Sequence, residues 1–117
     1  MTDCVFCKII AGEIPSTKVY EDERFLAFRD LSPVASTHVL IVPKQHIESV
    51  AVLTPEKEAE GLSGIFCVAR AIAEAEGIRE DGFRLVVNTG QHGGQTVPHF
   101  HLHVIGGKEL GWPPFAN

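Results

Sequence analysis

The chain has 117 residues, room for one domain with its own core and too little for two. Hydrophobic residues make up 44% and charged residues 21%, and no apolar run reaches the roughly 18 to 20 residues that span a bilayer. A net charge of -5, with ten scattered Lys and Arg, argues against a general nucleic-acid binder, which carries a basic stripe.

Small phosphorylated ligands stay open, because loops and helix ends bind them without net positive charge. The first residues lack the basic-then-apolar layout of a signal peptide, so a cytoplasmic address is expected. A single domain over residues 1–117 is expected, with no repeat or linker.

Phe6, Ile9, Ile10 and Ile14 are spaced as in a short helix that Pro15 and Ser16 stop. Lys18-Val19-Tyr20 and Phe25-Leu26-Ala27-Phe28 read as a hairpin around Glu21-Asp22-Glu23. After Ser32-Pro33, the run His38-Val39-Leu40-Ile41-Val42 predicts a central strand closed by Pro43. The longest helix is predicted from Thr54 as N-cap and Pro55 in the first turn to Gly77 as C-cap. Its buried face would be Ala59, Leu62, Ile65, Phe66, Ala69, Ile72 and Ala73.

Gly61 and Gly64 each cost on the order of 1 kcal/mol in that helix, offset if another backbone, such as a partner subunit's, approaches closely. Cys67 falls within the pattern and is expected in the core. Phe83–Asn88 and Pro98–Ile105 complete five strands. The layout is α+β: helices against a mainly antiparallel sheet.

Side chains alternate along a strand, so His99, His101 and His103 share one face while Phe100, Leu102 and Val104 line the other. Solvated faces usually carry Lys, Glu and Thr, so three alternating imidazoles point to chemistry: metal ligation, acid–base work or nucleophilic attack. The preceding segment contains Asn88, Gly93-Gly94 and Thr96, whose backbone and neutral donors suit a phosphate. Cys4-x-x-Cys7 is compatible with a metal site, a redox pair or two buried thiols.

His99-Phe100-His101-Leu102-His103-Val104-Ile105 resembles the histidine-triad motif. Asp30-Leu31-Ser32-Pro33, Thr37-His38-Val39-Leu40-Ile41-Val42-Pro43-Lys44, Gly93-Gly94-Gln95-Thr96-Val97 and Gly111-Trp112-Pro113-Pro114 resemble its Hint branch, so the likeness covers nearly the whole chain. It implies the histidine-triad fold, with a five-stranded sheet, one long and one short helix, and a homodimer whose sheets join. It further implies hydrolysis of purine nucleoside 5'-phosphoramidates through a nucleotidyl-histidine on His101.

By the same resemblance, His103, His38 and Thr96 assist catalysis, Asp30 holds the ribose, and Phe6, Ile9, Phe28 and Leu31 enclose the base. Asn88, Gly94, Thr96 and His103 line the phosphate, and Trp112 reaches the partner's site. Thr96 stands where many relatives have Ser, and Gly111 where some have His. The bacterial subset further implies a structural zinc on Cys4, Cys7, His46 and His99, a complete tetrahedral set. The rival functions are a dinucleoside polyphosphate hydrolase or nucleotidyltransferase of the same superfamily, and a non-enzymatic scaffold dimer.

Overall fold

A strand covered on both faces reads as an unbroken apolar run, and two of the three interior strands of this fold are of that kind. In the computed structural model, which describes residues 3–115, five strands form one antiparallel sheet. They are β1 (Lys18–Glu21), β2 (Phe25–Arg29), β3 (Thr37–Pro43), β4 (Phe83–Val87) and β5 (Leu102–Gly106), in the order β1-β2-β3-β5-β4. Every residue of β3 is buried, as are Phe25, Leu26, Ala27 and Phe28 of β2.

One face packs against α3 (Ile65–Ala75), whose Ile65, Val68, Ala69, Ile72 and Ala73 meet Phe25, Ala27, Val39, Ile41, Leu102 and Val104. On the other face, α1 (Val5–Ile10) sets Phe6 and Ile9 against Leu26, Phe28, Leu40 and Val42. Alternate residues of β2 and β3 thus enter opposite clusters, as the pleat requires. The helix α1 stops at Ile10 rather than Ile14, because the chain turns at Gly12, whose φ is +81°.

The helix expected to run unbroken from Thr54 to Gly77 is two helices. α2 (Pro55–Gly61) starts as the sequence predicts, with the Thr54 hydroxyl accepting from Lys57 N–H at 3.2 Å and Pro55 in the first turn. Leu62, Ser63 and Gly64 then interrupt it, and Gly64 precedes α3 at φ +87°, a left-handed conformation that favours glycine. Gly61 answers a different need. A Cβ there would lie 2.6 Å from Ile47 Cδ1, so the close approach is to this same chain.

The break also corrects the buried face. Ala59 and Cys67 are exposed, Phe66 is 67% exposed, and Val68 takes the inward position instead. Ile65, Val68, Ala69 and Ile72 already form a complete three- and four-residue stripe, which turns positions 66 and 67 outward. Gly77, with φ +77°, does follow the end of α3.

The last strand begins at Leu102 rather than Pro98. Ahead of it, Phe100 N–H donates to Ile47 O at 2.6 Å and His99 N–H to Val97 O at 2.8 Å, so these residues leave the ladder. Among the described residues no helix is long and apolar enough to cross a membrane.

Candidate functional site

Strand register brings the histidines together. β3 and β5 pair with Leu40 opposite His103 and His38 opposite Ile105, and directly paired residues lie on one face. Leu40 belongs to the cluster under α1, so His38 and His103 face that side. His38 Nε2 lies 2.9 Å from His103 Nδ1. The His101 and His103 rings are 5.1 Å apart, and Phe6 meets the rings of His101 and His99 edge-on at 5.1 and 5.8 Å. The predicted alternation therefore holds for all three, although His99 and His101 precede the ladder.

Hydrogen-bond partners settle where the ring protons sit, because a carbonyl only accepts and a backbone amide only donates. His101 Nδ1 is 2.8 Å from His99 O, so Nδ1 carries a proton and the neutral ring keeps its lone pair on Nε2. His99 Nε2 is 2.8 Å from Pro43 O, which leaves its lone pair on Nδ1. His38 is the reverse case: Val34 N–H donates to Nδ1 at 3.2 Å, which puts the proton of the neutral ring on Nε2. Burial drives the His103 pKa down to about 4, with His101 and His38 adding to the shift and Asp30 opposing it. Burial also lowers His38, again against Asp30. Both rings are accordingly neutral near pH 7.

Cys4, Cys7, His46 and His99 bring one donor atom each to within 4.8 Å of one another. Cys4 Sγ to His99 Nδ1 is 3.2 Å, Cys7 Sγ to His46 Nδ1 is 3.3 Å, and the two Nδ1 atoms are 3.1 Å apart. Ligands about 2.0 to 2.3 Å from a tetrahedral ion lie roughly 3.3 to 3.8 Å apart, so the set is close to coordination spacing. The Pro43 carbonyl orients His99 in the way that outer partners orient metal-binding imidazoles. These residues fit a divalent metal. Asp30, His38 and His103 also cluster within 4.8 Å, but the proton on His38 Nε2 withholds a lone pair there.

A cleft of about 320 Å³ opens between α1 and the sheet, lined by Phe6, Ile9, Phe28, Asp30, Leu31, Thr96, His101 and His103 among others. Larger depressions lie elsewhere, beside Glu76 and Asp81 and along α2 and α3, but neither is lined by a histidine. Asp30 Oδ1 accepts from Ser32 N–H at 2.7 Å, and Oδ2 lies 3.4 Å from His38 Nε2. Leu31 is 98% exposed at the rim. His38 reaches the cleft through His103.

Asn88 and Gly94 are outside the lining, in the loop after β4, where Asn88 Nδ2 donates to Gly93 O at 2.7 Å. Trp112 is also outside the lining and 81% exposed. Ile14, Ser16, Thr17 and Val97 also line the cleft wall, beyond the residues expected there. Ile14 and Val97 do carry the apolar signal of wall residues. The Val34 amide was missed because a backbone donor leaves no mark in residue type.

A five-stranded antiparallel sheet with alternating histidines under a short helix defines a histidine-triad α+β protein. The HIT domain family matches residues 11–110. The purine nucleoside phosphoramidase of Escherichia coli (strain K12) is 50% identical over 109 residues, covering 93% of this chain and 91% of that protein. A 14 kDa zinc-binding protein of Zea mays is 48% identical over 111 residues, covering 94% and 86%. The crystal structure of a HIT family hydrolase from Legionella pneumophila Philadelphia 1 superposes with a TM-score of 0.92 at 49% identity, covering 96% and 99%. The chain belongs to the HIT family.

Proposed function

We propose that this chain hydrolyses purine nucleoside 5'-phosphoramidates, with His101 as the nucleophile. The observation that carries the reading is the 2.8 Å contact from His101 Nδ1 to His99 O, which leaves Nε2 as a lone pair on a ring lining the cleft. The 50% identity to the Escherichia coli phosphoramidase supports the substrate class.

In the first step Nε2 attacks the α-phosphorus, the P–N bond breaks and the amine leaves with a proton. Water then cleaves the nucleotidyl-histidine, releasing the nucleoside monophosphate and restoring the imidazole. An amine leaves poorly unless protonated, so a positioned donor is needed. The Thr96 hydroxyl serves there by relaying a proton to the amine, while His103 lines the phosphate and His38 orders His103.

Asp30 accepts from the ribose hydroxyls, and Phe6, Ile9, Phe28 and Leu31 hold the base. Asn88 and Gly94 assist the phosphate, and Trp112 extends toward a partner's site. Cys4, Cys7, His46 and His99 would hold a zinc, whose role with four protein ligands would be structural, and His99 ties that site to the segment leading to His101. The working form is a cytoplasmic homodimer of one histidine-triad domain per chain. The exposed Phe66 and the apolar groove along α2 and α3 suit a subunit contact.

The test is hydrolysis of an adenosine phosphoramidate by the wild-type chain and by His101→Ala, with zinc measured on both proteins. Turnover lost only in the variant, with about one zinc per chain in each, is expected. Turnover surviving in His101→Ala would overturn the covalent route.

A further inference from the structure

The His38–His103 pair can hold its two protons in opposite senses. With Nε2–H on His38, that ring donates to His103 Nδ1 at 2.9 Å, and neutral His103 must carry its own proton on Nε2. With Nδ1–H on His38, the bond reverses: His103 donates from Nδ1 and its Nε2 becomes a bare lone pair. His103 lines the cleft. The first arrangement offers an anionic phosphate an N–H, and the second faces it with a lone pair that repels it.

Two neighbours select the first arrangement. Val34 N–H donates to His38 Nδ1 at 3.2 Å, a position the opposite tautomer would fill with a second hydrogen. At the other end of the ring, Asp30 Oδ2 lies 3.4 Å from Nε2 and favours a proton there. The turn that aims this amide is fixed locally. Ser32 N–H donates to Asp30 Oδ1 at 2.7 Å, Asp30 N–H donates to His38 O at 3.0 Å, and Pro33 restricts the backbone immediately before Val34.

We infer that the backbone N–H of Val34 is a positioning group for the reaction: it locks His38 as the Nε2–H tautomer, and through it makes His103 present an N–H to the phosphate. Its effect on rate rests on the phosphoramidase reading, whereas the placement of the protons does not. The Asp30-Leu31-Ser32-Pro33 turn thereby gains a use beyond the ribose, since it holds the amide that orders the catalytic pair.

The experiment replaces the Val34 amide with an ester, by introducing the α-hydroxy analogue of valine, and compares it with the wild-type chain and Val34→Ala. Two-bond ¹H–¹⁵N correlation spectra of the imidazoles report the tautomers, and adenosine phosphoramidate turnover reports kcat and KM. The wild-type spectrum is expected to show His38 and His103 as Nε2–H tautomers. The ester should show the Nδ1–H form of His38, with kcat down at least about ten-fold, below the hundred-fold or more that a positioned proton donor contributes. KM should change little, and Val34→Ala, which keeps the amide, should match wild type in both measurements.

A wild-type His38 protonated on Nδ1, or an ester variant with unaltered tautomers, would overturn the inference. So would a Val34→Ala protein that behaves like the ester. If the wild-type chain fails to hydrolyse the substrate, the phosphoramidase reading falls, and the spectra alone decide the tautomer lock.

Discussion

Replacing Phe6 with alanine removes the larger of the two buried side chains that join α1 to the sheet. Phe6 is buried, meets Phe28 edge-on at 5.6 Å, and touches the rings of both His99 and His101. A buried phenylalanine truncated to alanine costs about 3 to 5 kcal/mol. If α1 unfolds together with the sheet, that loss lowers Tm by about 12 to 20 °C, taking about 4 °C per kcal/mol for a domain of this size. Differential scanning calorimetry of wild type, Phe6→Ala and Phe6→Leu supplies the comparison, and the leucine variant should lose less because it refills most of the volume. Adenosine monophosphate affinity, measured by calorimetric titration, should weaken in the alanine variant, since the same ring forms the cleft wall. A Phe6→Ala protein with both Tm and nucleotide affinity unchanged would refute the packing argument and the placement of the base pocket.

Glu76 caps the end of α3 and receives both Arg29 Nη atoms at 2.9 Å and the Thr37 hydroxyl at 3.2 Å. The Arg29 guanidinium holds its carboxyl below the ordinary glutamate range. A depressed folded-state pKa stabilises above the unfolded value of about 4.3, and this stabilisation fades as pH falls through the folded one. Glu76→Gln should therefore cost about 1 kcal/mol at pH 7, with the difference shrinking as pH falls below the unfolded value and vanishing only once it passes the depressed folded one, as read by urea denaturation across pH. A pH-independent difference would argue against the ion pair. In the loop after β4, a Cβ on Gly93 would strike the Thr89 backbone, whereas one on Gly94 meets nothing nearer than Asn88 Nδ2 at 3.7 Å but sits at φ +78°. Gly93→Ala is expected to cost about 1 to 3 kcal/mol and more than Gly94→Ala; equal denaturation midpoints would count against this ordering.

What the sequence disclosed depended on whether a local pattern had one cause. The run at 38–42 was legible because both faces of β3 are covered, and the spacing of 99, 101 and 103 because it survives the loss of ladder pairing before Leu102. The helix break at Leu62–Gly64 was hidden because apolar spacing runs across it. Ser63-Gly64 was the available signal, yet a glycine cost read as tolerated inside one helix was in fact the turn between two. Outward-facing Phe66 and Cys67 were misplaced by the same continuity. The convergence of Cys4 and Cys7 with His46 and His99 lies beyond local pattern, since residues 92 and 95 positions apart meet only through tertiary packing. Family resemblance supplied that grouping where periodicity had nothing to say.

The segment carrying His101 resembles a short span clamped at both piers. On one side His99 is gripped by the Pro43 carbonyl, Cys4 and Cys7, and Phe100 is tied to Ile47; on the other, Leu102 enters the sheet. Three of these grips act through backbone atoms, namely Pro43 O, Ile47 O and the β5 ladder. The His101 ring is thus aimed largely by main chain, so the side chains around the cleft can vary while the direction of its Nε2 lone pair stays the same.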